Sequence, residues 1–249
     1  METLELWKQL TDWKQSCVWV DLSHELSVET PHWEGYPIVE VKTFADFDTT
    51  VFQAHTYTFV GQYGTHMDAP AHFVEGAATV DTIAPKNMVM PLCVIDLSKK
   101  VAENNDYMMI VQDILDWENK YGRVPEGSFV AFRSDWSKRG DMTAMENRDK
   151  NGNKHYPGWS VDALRFLVEE RNIGSIGHEP FDTDPAVVSS VNGFVAEHYI
   201  LSQNRMQIEL LKDLYKCPPV GALIFCTFQK VKNASGFPTR CFAICPKQN

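Results

Sequence analysis

Strand-like segments crowd the first part of this chain, ahead of any long helix able to carry a crossover. Cys17–Leu22, Ile38–Phe44 and Val51–Val60 read as strands, the last of them rich in β-branched and aromatic residues. Pro91–Leu97 is a short continuous apolar run, as in a buried strand, and Gly127–Arg133, Ile173–Gly177, Val220–Phe228 and Arg240–Ile244 follow it. Helical spacing appears in Met1–Gln15 through Leu4, Trp7, Leu10 and Trp13, and in Ile110–Tyr121, which Gly122 and Pro125 end. Ser160 caps a third helix through Asn172, and Ala196–Leu214 reads as mostly helical with a break near Asn204. Asp135–Gly158 is polar and reads as a long surface excursion. Strands grouped early and mixed with helices later predict an α/β fold with a mixed sheet rather than a doubly wound parallel one.

The length, 249 residues, fits one large domain or two small ones. A net charge of −10 argues against nucleic acid or an anionic membrane as partner. The longest apolar stretches, such as Val220–Phe228, fall short of the roughly 18 residues a membrane span needs. The first fifteen residues have neither a basic start nor an apolar core, so a cytoplasmic location is expected. Six cysteines in such a chain are expected to be buried thiols rather than a disulfide framework. Cys241 and Cys245, four apart in a strand, face one side and read as structural thiols ahead of zinc ligands. No GxGxxG follows a strand and no Walker-type loop is present, so nucleotide cofactors are unsupported.

One run concentrates chemistry: Gly61-Gln62-Tyr63-Gly64-Thr65-His66-Met67-Asp68-Ala69-Pro70-Ala71-His72-Phe73. In an extended segment His66 and Asp68, two apart, point to the same side and can share one metal. Imidazole with carboxylate suits zinc, manganese or iron. The alternative without chemistry is a loop with two surface histidines and a capping aspartate.

The spaced pattern Gly-Thr-His-x-Asp-x-Pro-x-His over residues 64–72 resembles the signature of the metal-dependent cyclase family, which includes bacterial kynurenine formamidases and isatin hydrolases. That resemblance implies metal binding by His66 and Asp68, with His72 as catalytic acid/base. Gly177-His178-Glu179-Pro180-Phe181-Asp182-Thr183-Asp184-Pro185 is similar to the family's Gly-Ile-Asp-Thr-x-Ser-x-Asp-Pro segment. Glu197-His198 falls where formamidases carry a His-His pair, and Glu209, twelve residues after Glu197, falls on the family's metal-binding glutamate. Thr30-Pro31-His32-Trp33 lies near the family's early substrate-pocket segment, and Arg133-Ser134-Asp135-Trp136 resembles its Arg-Thr-Gly-Trp segment. The resemblance implies a single domain over residues 1–249, with 1–15 an N-terminal helix. Its fold would be α/β of the swivelling β/β/α type, with a barrel-like sheet at the centre and helices around it. It also implies a homodimer or homotetramer.

Two departures bear on the metal. Formamidases with two zinc ions carry histidine at the positions of Gln62 and Glu197. An amide oxygen is a weak zinc ligand, so one divalent ion is expected, held by His66, Asp68 and Glu209 with Gln62 and Glu197 as further candidates. The oxygen-rich set leans toward Mn2+, with Zn2+ the other candidate. Were residues 196–214 one helix, His198 and Glu209 would share a face, so His198 stands as a rival to Glu197. Trp33, Phe73, His178 and Glu179 are candidates for the substrate pocket, with a buried structural pair the equal alternative for His178 and Glu179; Trp136 and Phe181 are further wall candidates. Arg133 is expected to pair with a core carboxylate, ahead of the alternative that it orients a substrate.

The function these features support is a metal-dependent hydrolase opening an amide, cyclic amide or lactone of a small molecule. Metal-activated water would attack the carbonyl, with His72 as acid/base, and a histidine's ordinary pKa of about 6.5 suits both directions of transfer. A lyase or cyclase using the same groups without water attack, and a metal-binding protein without catalysis, are the competing readings.

Overall fold

The computed structural model describes residues 4–247. In chain order the strands are β1 (Cys17–Asp21), β2 (Glu40–Ala45), β3 (Ala54–Thr58), β4 (His66–Asp68), β5 (Val89–Asp96), β6 (Met108–Met109) and β7 (Phe129–Arg133). They continue with β8 (Gly158–Trp159), β9 (Ser175–His178), β10 (Met206–Glu209), β11 (Ala222–Thr227), β12 (Gly236–Pro238) and β13 (Arg240–Pro246). The helices are α1 (Glu5–Ser16), α2 (Ser98–Glu103), α3 (Val111–Tyr121), α4 (Met142–Glu146), α5 (Val161–Arg165), α6 (Ala186–Asn192) and α7 (Val195–Ser202).

Nine strands make one mixed sheet in the order β1-β13-β11-β5-β7-β9-β10-β4-β12. Its centre, β5-β7-β9-β10, is parallel, and antiparallel pairs flank it on both sides. β12 and β13 are one run of chain broken only at Thr239, yet β12 pairs with β4 at one edge while β13 lies between β1 and β11 at the other. The sheet therefore curls until its edges meet. A bridge between Ser23 and Leu211, and the Lys212 N–H donating to the Leu22 carbonyl at 3.0 Å, close the same seam. The expected barrel-like centre is present.

Side-chain parity divides the core. Met67 of β4, Leu92 and Val94 of β5, Phe129 and Ala131 of β7 and Met206 and Ile208 of β10 fill the barrel interior. Cys241 and Cys245 of β13 also point there, on one side as their spacing predicts. The alternate residues Cys93, Ile95, Val130, Phe132 and Ile176 face outward and pack beneath the helices with Trp117, Trp136 and Trp159. Period-2 alternation with both faces apolar is what a parallel sheet covered by helices requires. Among the described residues no helix is long and apolar enough to cross a membrane.

Two expectations need correction. The helix read over Ala196–Leu214 ends at Ser202. Asn204 takes left-handed backbone, φ 55°, and Met206-Gln207-Ile208-Glu209 is a fully buried strand. Its alternation of apolar and polar residues is a strand signature that the helical reading absorbed. The 135–158 excursion is anchored, because Trp136 and Met145 are both buried in the core. The N-terminal helix begins at Glu5, and Met1 to Thr3 lie outside the described residues.

Gly158 of β8 lies against the backbone of Thr183, Asp184 and Pro185, with no room for a Cβ. Gly158→Ala is expected to cost about 1–3 kcal/mol, because backbone yields less readily than a side chain. Chemical denaturation measures it, and an unchanged midpoint would show that the 183–185 segment gives way.

Candidate active site

The site grows out of one register. β4 and β10 are antiparallel, with Glu209 opposite His66 and Gln207 opposite Asp68. Met67 and Ile208 between them point into the barrel, so those four polar side chains share the outer face, all buried. His178 on the neighbouring β9 is fully buried, its Nε2 3.3 Å from Glu209 Oε1.

Above this face sits α7. Asp184 accepts from the Ala196 N–H at 2.8 Å and the Glu197 N–H at 3.0 Å, holding the helix N-terminus over the strands. Glu197 is thereby turned inward and buried, whereas His198 is exposed with its ring near Phe73. Of the two, only Glu197 faces the cluster.

His66 Nδ1 lies 2.8 Å from the Gly64 carbonyl. A proton on Nδ1 satisfies that contact and leaves the Nε2 lone pair facing Asp68 Oδ2 at 3.4 Å and Glu209 Oε2 at 3.5 Å. Gln207, absent from the residues singled out by sequence, donates from Nε2 to Asp68 at 3.2 Å and to Glu197 and Glu209 at 3.1 Å each. Thr183 donates to its Oε1 at 2.7 Å. His72, on the short turn Pro70–His72, brings Nε2 to 3.9 Å from both Asp68 Oδ1 and Glu197 Oε1. Gln62 is turned toward His72: its Nε2 lies 3.3 Å from His72 Nδ1 and 3.2 Å from Ser235 Oγ.

Two groups of potential ligand atoms result, His66/Asp68/Glu209 and Asp68/His72/Glu197, each within 4.8 Å. The donor chemistry fits a divalent cation. Asp68 Oδ1 and His178 Nε2 are buried without a hydrogen-bond partner among the described residues. The ion pairs that Asp68, Glu197 and Glu209 make are with histidines. Burial, then the charges of Glu197, Asp68 and Asp182, hold the Glu209 carboxyl well above the usual carboxylate range. Burial, then Asp68, Asp182 and Asp184, do the same to Glu197. Burial pushes Asp182 up to about 6. Burial works against the ionised Asp68 as well, but the charges of His66 and His72 and the hydrogen bonds from His66 and Gln207 together outweigh it, and the net shift is down. For His66 burial works downward, and Asp68 with the Gly64 carbonyl reverses it. His178 is pushed down to about 3 by burial and then by His66, so it is neutral. A cation placed among these oxygens removes the repulsion that forces protons onto them.

A cavity of about 230 Å³ opens beside this cluster, walled by Trp33, Tyr36, Phe73, Phe181 and Phe194, with Gln62, His72, Asp182, Glu197 and Glu209 among its polar lining. Trp33 and Phe73 line this cavity, and His178 does not. Glu179 is not at the pocket: its buried carboxylate accepts from the Ser134 N–H at 2.8 Å, Ser134 Oγ at 3.0 Å and Ser137 Oγ at 2.6 Å. It follows His178 in sequence and so turns away from the side His178 faces. Trp136 lies beside it in the core. Arg133 pairs with Asp96 at 2.7 Å and Asp135 at 2.8 Å at the strand end. The residues missed, Tyr36, Asp182, Phe194 and Gln207, sit in segments whose local pattern reads as loop or helix.

Known proteins resemble the chain in sequence and fold. The Cyclase family model matches residues 20–185. The isatin hydrolase of Roseibium aggregatum is 31% identical over 219 residues, 85% of this chain and 82% of that protein. Isatin hydrolase A from Labrenzia aggregata, bound to benzyl benzoate, superposes with a TM-score of 0.90 at 29% identity, covering 97% of this chain and 99% of that one. An isatin hydrolase bound to the product analogue thioisatinate gives a TM-score of 0.90 at 26% identity, covering 99% of each chain.

Two outcomes follow from the electrostatics. Glu197, Glu209 and Asp182 have folded-state pKa values raised above their unfolded ones. The stability they contribute is full below the ordinary carboxylate range and is lost as pH rises through the raised values. Chelator-treated protein should therefore gain more in Tm from added Mn2+ or Zn2+ at pH 7.5 than at pH 5.5. Equal gains at both pH values would place the ion elsewhere. Glu179→Gln should lower stability by about 1–3 kcal/mol through its unpaired donors, with KM unchanged. A raised KM at unchanged stability would return Glu179 to the pocket.

Proposed function

The chain belongs to the cyclase family, and from that premise we propose that it is a metal-dependent hydrolase opening a cyclic amide of the isatin class. The observation that carries the reading is the aim of His66 Nε2 at Asp68 and Glu209 beside an aromatic cavity. His66, Asp68 and Glu209 would hold one divalent ion per chain, and Glu197, reaching Gln207 in the same polar layer, would bound the site. One imidazole and two carboxylates favour Mn2+ over Zn2+. A divalent ion bound there supplies Lewis acidity toward a carbonyl oxygen and lowers the pKa of a water from about 15.7 toward 7.

The chain's own residues supply the rest. His72 takes the attacking water's proton at Nε2 and returns it to the leaving nitrogen as the C–N bond breaks. Gln62, whose amide lies 3.3 Å from Nδ1, holds the imidazole in the orientation that directs Nε2 at the site, with Nδ1–H donating to the amide oxygen so that Nε2 is free to accept. This placement supports Gln62 as a positioning residue rather than a ligand. Trp33, Phe73, Phe181 and Phe194 suit a flat, aromatic small molecule and displace water from around it.

Self-association, as a homodimer or homotetramer, is part of the proposal. Leu6 and Trp7 of α1 and Phe44, Phe47 and Val51 around the β2–β3 hairpin expose apolar side chains beyond what scattered surface residues account for. A reducing compartment, the cytoplasm, suits the five buried cysteines.

Metal analysis with a ring-opening assay on isatin in oxygen-18 water tests the reading. Hydrolysis incorporates the label, and an unlabelled product would sink it. His72→Asn is expected to keep the fold and about one ion per chain while turnover drops about 10²- to 10⁴-fold. His66→Ala should lose the ion. Two tightly held ions per chain, or loss of metal in His72→Asn, would make His72 a ligand.

A further inference from the structure

Donors are scarce in this pocket. Asp182, Glu197 and Glu209 only accept when ionised, and each repels negative charge building on a substrate oxygen. His66 Nδ1 faces the Gly64 carbonyl, and the Gln62 amide is taken up by His72 and Ser235. His72 moves the proton. Tyr36 lines the same cavity, and its hydroxyl has no hydrogen-bond partner among the described residues.

Resting on the hydrolase reading above, we infer that Tyr36 is a catalytic hydrogen-bond donor, its hydroxyl directed at the scissile carbonyl oxygen as that oxygen becomes anionic. As the water oxygen bonds to the carbonyl carbon, the carbonyl electron pair moves onto its oxygen. The Tyr36 hydroxyl donates to that oxygen and keeps its own proton. The pair then returns, the C–N bond breaks, and nitrogen receives its proton through His72. Burial, followed by the charges of Asp68, Glu209 and Glu197, pushes the phenol up to about 12, so it remains a donor across the working range.

The loop around Tyr36 is built to hold it still. The Tyr36 N–H donates to the Trp33 carbonyl at 3.0 Å, and the two rings meet edge-on with centroids 5.1 Å apart. The indole of Trp33 lies folded over Gly35, where any Cβ would overlap its six-membered ring. Between them Glu34 forms ion pairs with Arg148 and, at 2.8 Å, with Lys154. A donor fixed in advance is worth more to a transition state than one that must be recruited.

Tyr36→Phe keeps the ring and removes only the donor. In the metal-loaded protein kcat is expected to fall about 10²-fold, the scale of a lost oxyanion donor, with KM within about threefold and metal content and Tm unchanged. A kcat within about threefold of wild type, or an effect on KM alone, would overturn the inference. Equilibrium binding of phenylphosphonate, a tetrahedral anion, reads the hydroxyl without turnover. Wild type should bind it about tenfold more tightly than Tyr36→Phe, one charge-assisted hydrogen bond's worth. Equal affinities would remove Tyr36 while leaving the hydrolase standing. A persisting difference in a protein that opens no cyclic amide would retain the donor and discard the hydrolase.

Discussion

The antiparallel register of β4 against β10 is the constraint on which the site depends. Because strand side chains alternate, a slip of one residue would turn Met67 and Ile208 outward and bury His66, Asp68 and Glu209 in the barrel among Phe129, Leu92 and Met206. Carboxylates there would face only hydrocarbon. The apolar residues of these short strands therefore choose the register, and the polar ones inherit their geometry from it. β12 on the far side of β4 fixes the same register a second time, pairing Pro238 with His66 and Gly236 with Asp68.

Holding so many acids under cover is expensive, since the penalty for an uncompensated buried charge is several kcal/mol even after relaxation. The fold meets this with neutral groups. Gln207 serves three carboxylates from one nitrogen, and Thr183 fixes its other end. Trp159 reaches His178 at 3.3 Å, and Tyr156 donates to Asp182. No lysine or arginine pairs with Asp68, Glu197 or Glu209 among the described residues. A fixed cation would have filled the place where a mobile one is useful.

Much of this was readable from residue order alone. The spacing of His66 and Asp68 places both on one face of a strand, but it is the longer run around them, resembling the family's signature, that marks them out. His72 is separated from them by a proline turn, which keeps it near without joining the strand. What stayed hidden depended on parity or on long-range closure. His178 and Glu179 are consecutive, and only one of two consecutive strand residues can face the site. Gln207 lay in a stretch that reads as helix until Asn204 breaks it. Tyr36 and Phe194 reach the cavity from loops whose course is set by tertiary contacts, such as Glu34 with Lys154, that no local pattern announces.

The seam that closes the barrel also dictates an order of events. β4 is three residues long and has no stability of its own; its neighbours on either side come from β10 and β12, far along the chain. On the ribosome His66 and Asp68 emerge long before Glu209, Pro238 or the strand that seals the barrel. Until those segments arrive, the segment bearing both residues is an unpaired edge, open to wrong partners. Contacts this distant in sequence are paid for in loop entropy before they are rewarded, so folding should be slow and its last step should assemble the site. On the ligand set proposed above, an ion captured early would find only His66 and Asp68, and the third ligand, Glu209, would reach it after closure.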